Sequence, residues 1–215
     1  MSFRDKKIII TAGPTWVAID NVRVISNTAS GATGIILSEK LQKLGAKVTL
    51  LLGPTESCCI NKKIRLLRFR FFDELEELVK KELFTKRYNV MIHTAAVSDY
   101  KPSAAIKKKV KSDMKEWRIK LIPTPKIIEE ARKIDTSLIL VGFKFEPNAG
   151  KTKLILEAKE LMKRANLDSV VANTTENNRY KAYILDDISI LGPLNSKNDM
   201  LEKLIEFIGE RLCPN

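Results

Sequence analysis

Residues 25–34 read Ile-Ser-Asn-Thr-Ala-Ser-Gly-Ala-Thr-Gly, and side chains of these types can hold an anion without carrying charge themselves. Ser26, Thr28, Ala29, Ser30 and Gly31 are small enough for backbone N–H groups to approach a ligand. The Asn27 amide and the hydroxyls add neutral hydrogen bonds at a helix start. The plainer alternative is a turn whose Ser30 caps a helix beginning near Gly31. Two other features of the chain weigh against it. A block of lysines, Lys107, Lys108, Lys109 and Lys111, lies within residues 101–121, and the carboxylate of Asp99 follows the apolar run at 89–96. An amide, a carboxylate, a basic segment and small residues at strand ends suit phosphoryl or nucleotidyl transfer. There, positioning and charge neutralisation supply most of the rate and no protein nucleophile is required.

Other chemistries lack their parts. With one histidine and no serine elbow, a Ser-His-Asp hydrolase has little to stand on, and no His/Cys/carboxylate cluster offers a transition-metal site. The Walker sequence does not occur, and Gly31 with Gly34 makes a poor dinucleotide fingerprint. None of the four tyrosines has a lysine four residues later, which disfavours an NAD(P) reductase of the Rossmann type.

Strands and helices must alternate to position these groups. Residues 7–12 form a continuous apolar, β-branched run ending in Gly13-Pro14, which predicts a central strand buried on both faces. Residues 34–44 place Ile35, Ile36, Leu37, Leu41 and Leu44 on a helical stripe stopped by Gly45. Strands are predicted at 47–52, 64–71, 89–96, 138–142 and 169–172, and helices at 72–84, 125–132, 151–164 and 199–212. The pattern predicts an α/β fold with a Rossmann-like, doubly wound, mostly parallel sheet, its ligands at the strands' C-terminal ends. Residues 101–121 interrupt it as a flap hairpin, with a polar turn at 112–116 and a strand at 117–121. Residues 183–185 and 188–191, split by Asp186-Asp187, form a terminal β-hairpin. His93, inside its strand, reads as a core imidazole satisfied by a neighbour, with no catalytic role.

The 215 residues suffice for one domain, 1–215, with a substantial core. The net charge of +12 raises the question of an anionic partner, but most Lys and Arg alternate with Glu on helix faces and no aromatic interleaves the lysine block. The expectation is therefore no nucleic acid. No apolar run is long enough to span a membrane, and no secretion signal precedes the first strand. The three cysteines, Cys58, Cys59 and Cys213, fit no disulfide framework, so a reducing, cytoplasmic setting is expected.

Eight short stretches occur in order: Thr-Ala-Gly-Pro-Thr (11–15), Ile-Asp-Asn-Val-Arg (19–23), Ile-Ser-Asn-Thr-Ala-Ser-Gly (25–31), Ala-Ala-Val-Ser-Asp-Tyr (95–100), Lys-Val-Lys-Ser (109–112), Pro-Lys-Ile-Ile (125–128), Val-Gly-Phe (141–143), and Asn-Leu-Asp with Val-Ala-Asn (166–173). Together they resemble phosphopantothenoylcysteine synthetase, the phosphopantothenate–cysteine ligase of coenzyme A synthesis, over nearly the whole chain. The resemblance implies that 4′-phosphopantothenate and cysteine are joined through an acyl-nucleotidylate made from CTP, or from ATP as in animal-type members, by a homodimer that uses Mg²⁺. It also implies roles by motif: Asn27 stabilises the intermediate and Lys109 assists activation from the flap. Arg23, Ser30 and Gly31 serve the substrate-binding segment, while Gly13, Ala95, Ala96, Val97, Asp99, Lys109, Pro125, Lys126, Ile127, Ile128 and Phe143 serve the nucleotide. Which residues hold the Mg²⁺ is left unassigned by the motifs. Plainer readings stand beside these: Arg23 in a surface ion pair, Phe143 as core, and Lys109 as one solvated lysine among four. Two departures stand out. Leu161 and Ala165 occupy the places of two nucleotide-binding lysines found in many bacterial members, with Lys159, Lys163 and Arg164 displaced around them, and the chain resembles the free-standing form without a flavin-dependent decarboxylase domain. The first departure leaves open a non-catalytic nucleotide-binding module of the same fold.

Overall fold

In the computed structural model, which describes residues 2–56, 60–85, 87–104, 106, 108–111, 113–177 and 179–212, the chain runs β1 (Lys7–Ala12), β2 (Trp16–Ala18), β3 (Val24–Ser26), α1 (Ala32–Lys43), β4 (Lys47–Leu52), β5 (Arg65–Arg68), α2 (Phe72–Thr85) and β6 (Val90–His93). It continues with β7 (Tyr100–Pro102), β8 (Leu121–Pro123), α3 (Ile127–Ile134), β9 (Ile139–Phe145), α4 (Lys151–Ala165), β10 (Ser169–Glu176), β11 (Arg179–Leu185), β12 (Ile190–Leu194) and α5 (Lys197–Leu212). Lys107, Ser112, Cys58, Cys59 and Cys213 lie outside the described residues.

The main sheet has the order β12-β11-β10-β9-β6-β1-β4-β5. From β10 to β5 every neighbouring pair is parallel. After β1 the chain builds outward through β4 and β5, then returns to the other side of β1 for β6, β9 and β10. The direction of winding therefore reverses between β1 and β6, and in open α/β sheets ligands bind in the crevice outside the carboxyl ends of strands at such a point.

The period-2 alternation of β1 explains why it is buried on both faces. Ile9 joins Leu51, Met91, Leu140 and Val170 under α2, α3 and α4, while Ile8 and Ile10 join Leu50, Val90, Ile92 and Val141 under α1 and α5.

Several predicted boundaries move for identifiable reasons. Helix α1 starts at Ala32, with Gly31 at its N-cap in the left-handed region at φ 72°, so Ser30 does not occupy the cap position. Helix α3 starts at Ile127 after an extended Lys126 rather than at Pro125. The predicted strand at 117–121 is replaced by a pairing of β7 with β8, Tyr100 opposite Pro123 and Pro102 opposite Leu121. Trp117 is engaged elsewhere, its ring lying 5.2 Å below the Arg23 guanidinium. At the terminal hairpin the Asp186 carboxylate accepts the N–H groups of Ile188 and Ser189, which makes these residues the turn and starts β12 at Ile190. Strand β11 reaches back to Arg179 and pairs along β10, giving a three-stranded antiparallel edge instead of an isolated hairpin. The β2–β3 hairpin was not foreseen. Its strands have three residues each, and its turn is held by Asp20, whose Oδ1 accepts from Val22 N (2.8 Å) and Arg23 N (2.7 Å).

Candidate active site

The loops leaving β1 and β6 are stitched together by backbone and hydroxyl bonds. Thr15 N donates to Ala96 O at 3.2 Å and Ala96 N to Gly13 O at 3.0 Å. Buried Ser98 exchanges hydrogen bonds with Thr15, and buried Thr124 donates its hydroxyl to Ser98 O at 2.7 Å. These bonds bring segments 11–15, 95–99 and 124–128 to one place. Gly13, at φ 81°, permits a crossing in which a Cβ would meet Gly53 backbone at 3.3 Å.

At the reversal of winding lies a cleft of about 510 Å³. Size alone does not single it out, because a hollow of about 550 Å³ lies over the end of β5 and α2. Position and lining do. Ala95, Ala96, Val97, Asp99, Pro125, Lys126, Ile127, Ile128 and Phe143 all line the cleft, so nine of the positions assigned to the nucleotide by motif come together. Phe143 is thus not plain core. The exposed Lys126–Asp99 pair, at 2.5 Å, spans its rim.

Other predicted residues lie around the cleft rather than in it. Asn27 is exposed, and its Nδ2 donates to Ala96 O (3.0 Å) and Val97 O (3.2 Å), which commits both amide hydrogens to the wall of the cleft. Gly31 packs against Gly13, where a Cβ would lie 3.2 Å from Gly13 N. Thr55 donates to Ser30 O at 2.8 Å, and Ala32 N to Ser30 Oγ at 3.4 Å. Gly13 lies beneath the loop, outside the lining.

Arg23 and Lys109 belong to a separate device. Arg23 pairs with Asp20 at 3.1 Å and donates to Val110 O at 3.4 Å. Val110 N donates in turn to Asp20 Oδ2 at 3.1 Å. Burial tends to raise the Asp20 pKa, but the N–H groups of Val22, Val110 and Arg23, with the Arg23 charge, outweigh it and hold the carboxyl below its ordinary range. The carboxylate thus pins the lysine segment to the β2–β3 hairpin beside Lys109. Lys109 itself borders a shallow depression with Val110, Lys111 and Asp113, outside the cleft.

Thr33, His93, Thr94, Lys144 and Glu146 line the cleft without having been assigned to it from sequence, whereas Ala29, Leu161 and Arg164, singled out there, are in the lining as well. Lys144 is held between Glu146 (2.7 Å) and Glu157 (3.2 Å). Burial lowers its pKa, and the bonds to the two carboxylates more than reverse this, so the lysine stays charged. Arg164 pairs with Glu129 at 3.0 Å. Of the three cations displaced around Leu161 and Ala165, Arg164 is the one in the lining, while Leu161 contributes an apolar wall and Ala165 is buried. Residues 143–146 directly follow the strand predicted at 138–142 and adjoin a recognised motif, and that position is the signal by which Lys144 and Glu146 could have been found. His93, inside its strand, is satisfied by a neighbour, as read from sequence, and in addition lines the cleft. Its Nδ1 lies 2.8 Å from Thr11 Oγ1, and burial pushes its pKa down to about 4.

A Rossmann-ordered sheet with a cleft at its switch point, walled by small strand-end residues and rimmed by ion-paired cations, defines an α/β protein with its ligand site at the carboxyl ends of the strands. The chain belongs to the DNA/pantothenate metabolism flavoprotein C-terminal domain family, whose model matches residues 3–209. Among curated proteins it is similar to the coenzyme A biosynthesis bifunctional protein CoaBC of Thermococcus kodakarensis, at 32% identity over 98% of this chain and 53% of that protein. The CoaBC of Borreliella burgdorferi is 30% identical over 95% of this chain and 53% of its own length. The chain spans about half the length of these curated relatives. Among solved structures, the C-terminal domain of a CoaBC protein superposes with TM-score 0.80 at 26% identity, covering 97% of this chain and 96% of that one. The DNA/pantothenate metabolism flavoprotein from Streptococcus pneumoniae shares the fold with TM-score 0.85 at 24% identity, over 96% of this chain and 99% of that one.

Proposed function

We propose that this chain joins 4′-phosphopantothenate to cysteine through an acyl-nucleotidylate made from CTP. One observation carries the reading: residues 95–97, 99, 125–128 and 143, far apart in sequence, line one cleft, and the Asn27 amide is bound across its wall at Ala96 and Val97. The place of the curated relatives in coenzyme A biosynthesis supports it.

Two displacements make up the reaction. The pantothenate carboxylate attacks the α-phosphorus, pyrophosphate leaves, and a mixed anhydride remains. The cysteine amine then attacks the acyl carbon, loses a proton, and expels the nucleoside monophosphate. No step needs a protein nucleophile, so the chain's contribution is to position the reactants and offset negative charge. Arg164 and Lys126 supply cations at the cleft, and closure of the lysine segment brings Lys109 to the phosphates. Asn27 serves the second step by exchanging one of its carbonyl bonds for the oxyanion that develops at the acyl carbon.

The residues present form no protein cage for Mg²⁺. The Asp99 carboxylate is taken by Lys126 and that of Glu146 by Lys144, and among the described residues no three of His, Cys, Asp and Glu gather as ligands. Mg²⁺ keeps waters and favours substrate phosphates, so it belongs with the nucleotide. The working unit we infer is a cytoplasmic homodimer. Among the described residues, no helix is long and apolar enough to cross a membrane.

Base choice follows hydrogen bonds in the pocket, while the Leu161 and Ala165 replacements remove charge from every triphosphate alike. Competition between CTP and ATP at equal concentration, with both substrates present, tests the assignment. An excess of CMP over AMP is expected, and an excess of AMP overturns the choice of CTP.

A further inference from the structure

His93 is the chain's single histidine, and the reaction as derived makes no use of it. It ends β6 in register with Thr11 of β1 on one side and Gly142 of β9 on the other. All three positions face α3 and α4. The hydrogen bonds of fully buried Thr11 fix the state of the imidazole. Thr11 Oγ1 lies 3.3 Å from Ala95 N, which can only donate to it, and 2.8 Å from His93 Nδ1. Among the described residues the Thr11 hydroxyl proton therefore has His93 Nδ1 as its acceptor, and a buried hydroxyl proton left without one is costly. Nδ1 is then the bare nitrogen and Nε2 carries the hydrogen. No described residue bonds Nε2, yet among the described residues no buried side-chain nitrogen lacks a partner, so Nε2 opens into the cleft that the ring lines.

The surroundings of the ring select the kind of ligand. Beside it, a Cβ on Gly142 would meet Leu167 at 2.7 Å, Ile128 at 3.2 Å and Leu161 at 3.8 Å, so the wall here is apolar and close. The charged groups lining the same cleft are Asp99, Lys126, Lys144, Glu146 and Arg164, and each of the three cations is held by a carboxylate. Triphosphate oxygens are served by such cations. An uncharged donor in an apolar slot suits a flat heteroaromatic ring with an acceptor on its edge.

We propose that His93 is a base-reading residue of the cleft, its Nε2–H donating to a ring or carbonyl acceptor of the bound nucleobase while Thr11 holds Nδ1. The inference rests on the reading of the cleft as a nucleotide site. Since burial holds the imidazole pKa at about 4, the donor keeps one form throughout the neutral range.

The test separates base from phosphate and uses two substitutions. His93→Asn leaves an acceptor near the Nδ1 position for Thr11 but deletes the cleft donor, and His93→Gln returns an amide near the Nε2 position. Titration of CTP into the wild-type protein and His93→Asn should show affinity falling roughly three- to tenfold, the worth of one neutral hydrogen bond. Tripolyphosphate alone should bind both equally, and His93→Gln should recover most of the loss. In ¹⁵N spectra of a tag-free protein, the one histidine should report a protonated Nε2 whose signal moves with CTP and not with tripolyphosphate. Equal weakening of CTP and tripolyphosphate makes His93 a phosphate contact and overturns the inference. So does CTP binding by His93→Asn that matches wild type. Wild-type protein that binds no nucleoside triphosphate overturns the nucleotide reading itself, and that result is visible without any variant.

Discussion

Asn27 spends both amide hydrogens on the carbonyls of Ala96 and Val97, so it is a strut of the cleft before it is a participant in chemistry. Asn27→Asp keeps the size but sets a carboxylate against two carbonyl oxygens and removes the donor. The second half-reaction should slow by the ~2.7–4 kcal/mol lost with an oxyanion donor, about 10²–10³-fold. Acyl-nucleotidylate should then accumulate in mass spectra, and normal product formation by this variant would remove Asn27 from the mechanism. His93 gives a second prediction at this scale. An unfolded histidine takes its proton near pH 6.5, whereas the folded one resists to about 4. Its contribution to stability is therefore complete above pH 6.5 and falls as the pH drops from 6.5 to 4, by about 3 kcal/mol at most. Denaturant melts across that window should show the decline in wild type and a flatter curve in His93→Asn. Equal slopes would contradict the assignment.

Elements of regular periodicity were legible from sequence, and those held by single side chains were not. The strands β1, β4, β6 and β9 and helices α1, α2 and α4 announce themselves by apolar runs or stripes. Each buries its pattern against the main sheet's two faces. The β2–β3 hairpin and the placement of Val110 and Trp117 depend instead on contacts of Asp20 and Arg23 across the fold, which no local period encodes. For the same reason the motif residues lining the cleft could be named in advance, while His93 and Lys144 required the sheet order. The lysine segment also carries its own prediction. Asp20 pins Val110, so Asp20→Ala should free the segment and quicken tryptic cleavage at Lys109 and Lys111. Saturating nucleotide should protect the wild-type segment. Cleavage indifferent to both nucleotide and Asp20→Ala would rule out a closing flap.

At the scale of the whole molecule, one arginine ties the C-terminal end of α3 to the entry of β10. Arg132 donates to Asn166 O (2.8 Å), Thr136 O (3.0 Å) and Leu138 O (2.8 Å) and pairs with Asp168 at 2.5 Å. Its side chain is 11% exposed, so Arg132→Ala leaves Asp168, among the described residues, with the Leu140 N–H alone and three carbonyls without this donor, and should cost about 2–4 kcal/mol in urea melts. A loss under 0.5 kcal/mol would show that the loops hold without it. The sheet so braced holds the cleft between β1 and β6 that we propose as a ligase site. The most direct measurement is pyrophosphate release with each reactant omitted in turn. Release should require both CTP and 4′-phosphopantothenate, and should reach sustained turnover, with CMP and phosphopantothenoylcysteine formed in equal amounts, only when cysteine is added. Binding of nucleotide with no pyrophosphate under any combination would contradict it and leave the fold as a nucleotide-binding module.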